Sequence, residues 1–198
     1  MKNAIAAMLL LSLGSTSAQN LRYFPDLAFD ENPQQNEQVA QGYTQFLKAL
    51  QEPSLLDEAK TGTEAYRFLW LRSFHNPIAV RLNMNKDGTS LLTVKVTSGR
   101  GGYEPGKLTK TTARELSTRE TEWFLSRVQE LGYWDLPTRE PKNDVIGLDG
   151  AMWVLEAVKG GKYKVVDRWS PEKGPVRVLG LMMLIDMAKL KLLYQDVY

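Results

Sequence analysis

The 198-residue chain carries 25 basic and 23 acidic side chains, and so near a balance provides no electrostatic footprint for nucleic acid. Cysteine is absent and His75 is the single histidine, which excludes thiol chemistry, disulfides, thiolate metal centres and a multi-histidine zinc site within one chain. Neither a metal nor a cofactor is expected. With 43% hydrophobic and 24% charged residues the composition is that of a globular domain rather than a disordered or membrane-embedded one.

Lys2, the apolar run over 4–13 and the small residues Thr16-Ser17-Ala18 read as a secretory signal peptide over 1–18, cleaved after Ala18. The run is far shorter than the ~20 residues that span a bilayer, so no membrane span is expected after cleavage and the expected location is periplasmic or secreted. Residues 19–33 are polar and proline-punctuated with isolated aromatics at Tyr23, Phe24 and Phe29, predicting an extended N-terminal arm that docks on the body. Residues 34–198 are expected to form a single α+β domain.

Val39, Tyr43, Phe46, Leu47 and Leu50 recur at helical spacing and predict a first helix over 34–50; a short second helix is predicted over 55–60. Residues 66–71 are apolar on both faces, as in a central, doubly covered strand. Two alternating runs follow, Ile78, Val80, Leu82 and Met84, then Leu92, Val94 and Val96, which together predict a hairpin. A two-residue Asp87-Gly88 turn would place Leu92 on the face of Asn83. A three-residue Lys86-Asp87-Gly88 loop with Gly88 left-handed pairs Leu82 with Leu92 and Val80 with Val94 instead.

The glycine-rich stretch 98–107 is expected to be an exposed loop. Ser117 and Glu120 form a capping box that opens a helix running to Leu131, with Phe124, Val128 and Leu131 on its buried stripe, Gly132 as its stop and Tyr133, Trp134 and Leu136 as an aromatic latch. After a polar loop over 137–150, strands over 151–158 and 163–169 join across Gly160-Gly161 as a two-residue hairpin. A helix is predicted over 176–194, apolar almost all round in its first half and therefore buried, with Arg177 and Asp186 interrupting it too early for a membrane span. The fold expected from these elements is α+β: an antiparallel sheet of about five strands built from hairpins, with helices packed against it.

Three constellations bear on chemistry. The segment 101–108 approaches the phosphate-loop pattern, but Leu108 replaces the hydroxyl that would hold magnesium and no helix start follows. His75 could act as a base with Ser73 or Ser170 as nucleophile and Asp167 as orienter, yet no Gly-x-Ser-x-Gly elbow is present. The last hairpin pairs Val158 with Tyr163, Glu156 with Val165 and Val154 with Asp167, which puts Glu156 and Asp167 on one face as diagonal neighbours about 7 to 8 Å apart. That spacing overlaps the roughly 6.5 to 9.5 Å between the acid and base of inverting glycosidases. The structural alternative pairs each carboxylate with an arginine, for which Arg67, Arg72, Arg81 and Arg177 are available, and it is favoured because buried acids are normally paired. On the opposite side of the hairpin Trp153 and Arg168 face each other and can stack. The five tryptophans are read as core residues first.

Through Phe74-His75-Asn76-Pro77-Ile78, residues 148–153 and residues 166–171, the chain resembles a group of bacterial exported proteins to which no activity is assigned. The likeness covers roughly 64–189; it implies an exported bacterial protein and carries over no functional residue. The leading reading is a non-enzymatic binding or interaction protein whose unknown protein, small-molecule or glycan ligand meets the loops over 98–107 and 137–150. Arg100, Tyr103 and Trp169 are its candidate ligand contacts. The alternative reading is a hydrolase, with a glycan as one candidate substrate, using Glu156 and Asp167 as paired carboxylates with His75 nearby.

Overall fold

The computed structural model describes residues 21–85, 87–140 and 149–198. The predicted signal segment, Lys86 and most of the 137–150 loop lie outside the described residues. One antiparallel sheet of six strands in the order β4-β3-β2-β1-β5-β6 carries helices on both faces, an α+β architecture. The strands are β1 (Glu64–Arg72), β2 (Ile78–Met84), β3 (Ser90–Thr97), β4 (Leu108–Leu116), β5 (Ala151–Lys159) and β6 (Lys162–Trp169).

The central strand is β1, as its two-faced apolar pattern requires, flanked by β2 and β5. Leu82 pairs with Leu92 and Val80 with Val94, and Gly88 is left-handed at φ 84°, in keeping with the three-residue loop. Val158 pairs with Tyr163 across Gly160 and Gly161, at φ 57° and 75°, the double left-handed turn whose twist matches a hairpin. The sixth strand, β4, is an addition to the about five expected. It is an edge strand exposed along most of its length, so it lacks the buried alternation that marks a strand in sequence. Lys110 near its middle is a usual protection for such an edge.

Helix α1 (Pro33–Ala49) and the N-terminal arm cover one face. Phe24, Phe29 and Tyr43 pack edge to face, at 5.0 Å between the Phe24 and Phe29 centroids and 5.3 Å between those of Phe29 and Tyr43. The arm's aromatics are thus buried against α1 and this face of the sheet. The second predicted helix is a single turn, α2 (Leu55–Glu58), continued by a 3₁₀ turn over Ala59–Thr61. The other face carries α3 (Thr118–Glu130) and α4 (Pro175–Leu181) over the main core, where Phe68, Trp70, Trp153 and Phe124 are fully buried. Both halves of the capping box are made in α3, and Gly132 ends it with φ 61°.

The last helix is shorter than predicted. It passes from α4 into a π-helical turn over Met182–Met187 and stops at Ala188, followed by an irregular strap that returns over the sheet. Leu190, Leu192, Val197 and Tyr198 of that strap pack on the core, so the apolar pattern outlasts the helix. Leu179, Met183 and Leu184 are fully buried, whereas Leu181 is half-buried and Ile185 is 42% exposed. Among the described residues no helix is long and apolar enough to cross a membrane.

Candidate functional site

Glu156 and Asp167 share the face of the sheet that lies beneath α1 and the arm, in the predicted register. Both are closed off: Glu156 is 0% and Asp167 3% exposed. Arg67, directly opposite Glu156 on β1, donates from Nε and Nη2 to its two carboxylate oxygens at 2.8 Å each, and the Tyr163 hydroxyl donates to Oε1 at 2.8 Å. Burial pushes the Arg67 guanidinium down, but Glu156 and Glu52 outweigh it and hold the group above its usual range.

Arg67 also pairs across the sheet with Arg81, a juxtaposition of like charges that needs compensation. Glu52, in the middle of the α1–α2 connection, supplies it, with oxygens 3.5 Å from Arg67, 3.8 Å from Arg81 and 2.9 Å from Lys95. Glu58 adds a 2.6 Å contact to Arg81. Three cations thus meet Glu52, Glu58 and Glu156, and the charges balance.

Asp167 takes a partner outside the four arginines that the sequence offers most readily. Arg139 donates from Nε to Oδ2 at 2.9 Å, and the Tyr43 hydroxyl faces the same carboxylate. Residues 136–140 run along the outer edge of β6, where Asp167 N–H donates to Thr138 O at 2.7 Å, and this brings Arg139 round to the covered face. Burial raises the Asp167 pKa above the usual carboxylate range, with Arg139 opposing. Arg168 is turned toward the carbonyls of Pro137 and Thr138, so it is Arg177 whose guanidinium lies over Trp153, 5.5 Å from the ring centroid.

His75, Arg100, Tyr103 and Trp169 lie elsewhere, at the loop end of the sheet formed by the C-terminal ends of β1, β3 and β6 and the start of β5. His75 therefore stands well away from Glu156. Its Nδ1 lies 2.9 Å from the Tyr198 hydroxyl and its Nε2 3.6 Å from Asp196, so it pins the strap. Burial and the neighbouring Arg72 lower its pKa against the pull of Asp196. Ser73 Oγ is bonded to Gly150 and Ser170 Oγ accepts from Ala151 N–H at 2.8 Å, so neither serine meets the histidine.

The glycine-rich loop is held tightly. Gly101 N–H donates to His75 O at 3.0 Å and Asn76 Nδ2 to Gly99 O at 3.0 Å, and a β-carbon on Gly101 would lie 2.5 Å from the backbone of Leu71 and Arg72. Only glycine admits so close a crossing. A β4 strand, not a helix, follows Lys107, so no helix N-terminus faces this loop. On its tip Arg100 and Tyr103 are exposed, and Tyr103 sits 6.0 Å from Phe74, centroid to centroid, with the planes inclined by 35°.

Phe74, Tyr103 and Trp169 are 50%, 60% and 42% exposed, and all three belong to this end. Phe74 is not among the contacts expected from sequence, although an aromatic directly after a strand end and before a proline-broken turn is a signal of that kind. Among the described residues no cluster of histidine and acidic side chains could hold a metal ion. No protein-family model matches the chain, and no curated protein matches it in sequence.

Proposed function

We propose that this chain is an exported bacterial binding domain, acting in the periplasm or outside the cell without catalysis, and that it meets a glycan or protein ligand with the loop end of its sheet. The observation that carries this reading is the contrast between the two candidate groups. Glu156 and Asp167 are buried and neutralised by arginines, whereas Phe74, Tyr103 and Arg100 are exposed on backbone that hydrogen bonds and close glycine contacts keep rigid. Rigid exposed aromatics give contact area at low entropic cost. Export is supported by Lys2, the apolar run over 4–13 and the small residues before Gln19.

The test is a comparison of wild type with the Phe74→Ala/Tyr103→Ala double variant against cell-envelope polysaccharides and envelope extracts, with turnover followed in the same samples. Binding without turnover, lost in the double variant at an unchanged melting temperature, is expected. Hydrolysis abolished by Glu156→Gln in a protein that still melts normally would replace the proposal with the hydrolase reading. Location is tested separately, by cell fractionation and by an intact mass that begins at Gln19.

A further inference from the structure

Arg72 ends β1 and is buried, with its guanidinium over the Trp70 ring, 4.0 Å from the centroid. Its one hydrogen bond among the described residues runs from Nη1 to the Asp196 carbonyl at 3.2 Å. No carboxylate is bonded to it, since the side chain of Asp196 is turned to His75 Nε2 at 3.6 Å. Arg72 Nε and Trp70 Nε1, one in each member of the stacked pair, are buried without an acceptor. Buried donors are nearly always satisfied and buried cations nearly always paired, so this pair is short of an anion. The ring face offsets part of the charge but gives neither nitrogen an acceptor.

The neighbouring residues do not supply that anion. Trp153 meets Trp70 at 5.6 Å between centroids, and the guanidinium over it, that of Arg177, donates to Pro171 O at 2.9 Å. Two cations thus flank the tryptophan pair, and among the described residues neither has a carboxylate bonded to it.

The C-terminal strap closes this place. It departs from Lys189, left-handed at φ 53°, and its carbonyls take the donors below it, Asp196 O from Arg72 and Tyr198 O from Trp153 Nε1 at 2.9 Å. Carbonyls satisfy hydrogen bonds but leave the charge of Arg72 unanswered. The strap is lightly docked: Leu190, Leu192, Val197 and Tyr198 are half-buried and Leu193 is 63% exposed. Segments with so little burial open at a free energy well below that of global unfolding.

We infer that Arg72 anchors a site for a small carboxylate with an apolar body, and that the strap is the lid of this site. The ligand displaces the strap, its two oxygens taking Nε and a terminal nitrogen of the guanidinium while its body replaces Val197 and Tyr198 on the core. A single buried guanidinium suits a planar monoanion, whereas a phosphate would bring a second charge with no partner. The site does not depend on what Phe74 and Tyr103 bind.

The probe is phenylacetate, compared by titration calorimetry at neutral pH with phenylacetamide, its uncharged isostere. Phenylacetate is expected to bind wild type at least about tenfold more tightly than the amide. His75→Ala removes both side-chain ties of the strap and leaves Arg72 in place, so it should bind phenylacetate at least about threefold more tightly than wild type does. Arg72→Gln removes a charge that no acid balances, and in it the two probes should bind alike. Nuclear magnetic resonance of wild type should show phenylacetate, and not the amide, shifting the Trp153 indole N–H signal as its bond to Tyr198 O breaks. That signal and the His75→Ala comparison test the site without altering Arg72. The Phe74→Ala/Tyr103→Ala variant should bind phenylacetate as wild type does. Equal affinities in wild type, no gain in His75→Ala, a preference that survives Arg72→Gln, or a Trp153 signal unmoved by phenylacetate would each overturn the inference. So would loss of phenylacetate binding in the loop-end variant.

Discussion

Arg67 and Glu156 stand directly opposite each other on neighbouring central strands and join at two points, with neither side chain exposed to water. Such a pair gives up two hydration shells, and the mutual attraction together with the Tyr163 and Pro53 contacts must offset that cost. It constrains register, because sliding β5 by one residue would move Glu156 to the other face and leave Arg67 uncompensated under α1.

The two carboxylates should respond unequally to removal of charge. Glu156→Gln leaves Arg67 buried and is expected to cost about 3 to 5 kcal/mol. Asp167→Asn leaves Arg139, whose side chain is 34% exposed and can turn to water; burial already opposes ionisation of Asp167, so a loss of about 1 kcal/mol or less is expected. Urea unfolding of the two variants checks this, and equal losses would contradict it.

Glycine substitutions should separate close packing from open surface. Gly101→Ala places a β-carbon 2.5 Å from backbone atoms that cannot yield and should destabilise by about 1 to 3 kcal/mol or more. A β-carbon added at Gly42, inside α1, would meet no atom of a neighbouring element within 4 Å, so Gly42→Ala should stabilise by about 0.5 to 1 kcal/mol. Thermal midpoints that move in opposite directions are the expected result.

Within the last helix Leu179, not Leu181, is the residue on which the core depends. Leu179 is fully buried and its change to alanine should cost about 2 to 5 kcal/mol, whereas half-buried Leu181 should lose clearly less on the same change. Paired denaturation curves decide the order.

Glu120 supplies a pH signature. Hydrogen bonds from Arg114 and from Ser117 hold its carboxyl down to about 2, against an ordinary value of 4.5. A carboxyl depressed in the folded state adds stability in full above its unfolded value and loses it as pH falls through the folded one. The stability gap between wild type and Glu120→Gln should therefore be present at pH 7, narrow below about 4.5 and close near 2. Because the group is partly exposed, the gap should also shrink with salt. Melting curves across that range provide the measurement.

Much of the fold could be read along the chain because local rules and burial agreed. The period-two runs at Ile78–Met84 and in β3, the glycine turn at Gly160-Gly161 and the Ser117/Glu120 box each state their geometry within a few residues. The edge strand β4 was not legible, since both its faces are largely solvated and its polar run of threonines with Lys110 and Arg114 carries no buried alternation. The end of the last helix was hidden for the opposite reason: Leu190 and Leu192 are apolar because the strap is buried, and burial does not require a helix.

The candidate sites divide in the same way. By itself the sequence determined that Glu156 and Asp167 share a face, because alternation and a two-residue turn leave one register for that hairpin. Only the tertiary structure decided that they are closed, since Arg67 comes from a strand 89 positions earlier and Arg139 from a loop with no periodicity, folded along the edge of β6. The same holds for Phe74 beside Tyr103. Short-range patterns govern which side of an element a residue occupies. Which charges neutralise one another, and which rings remain in water, depends on the packing of segments far apart in the chain.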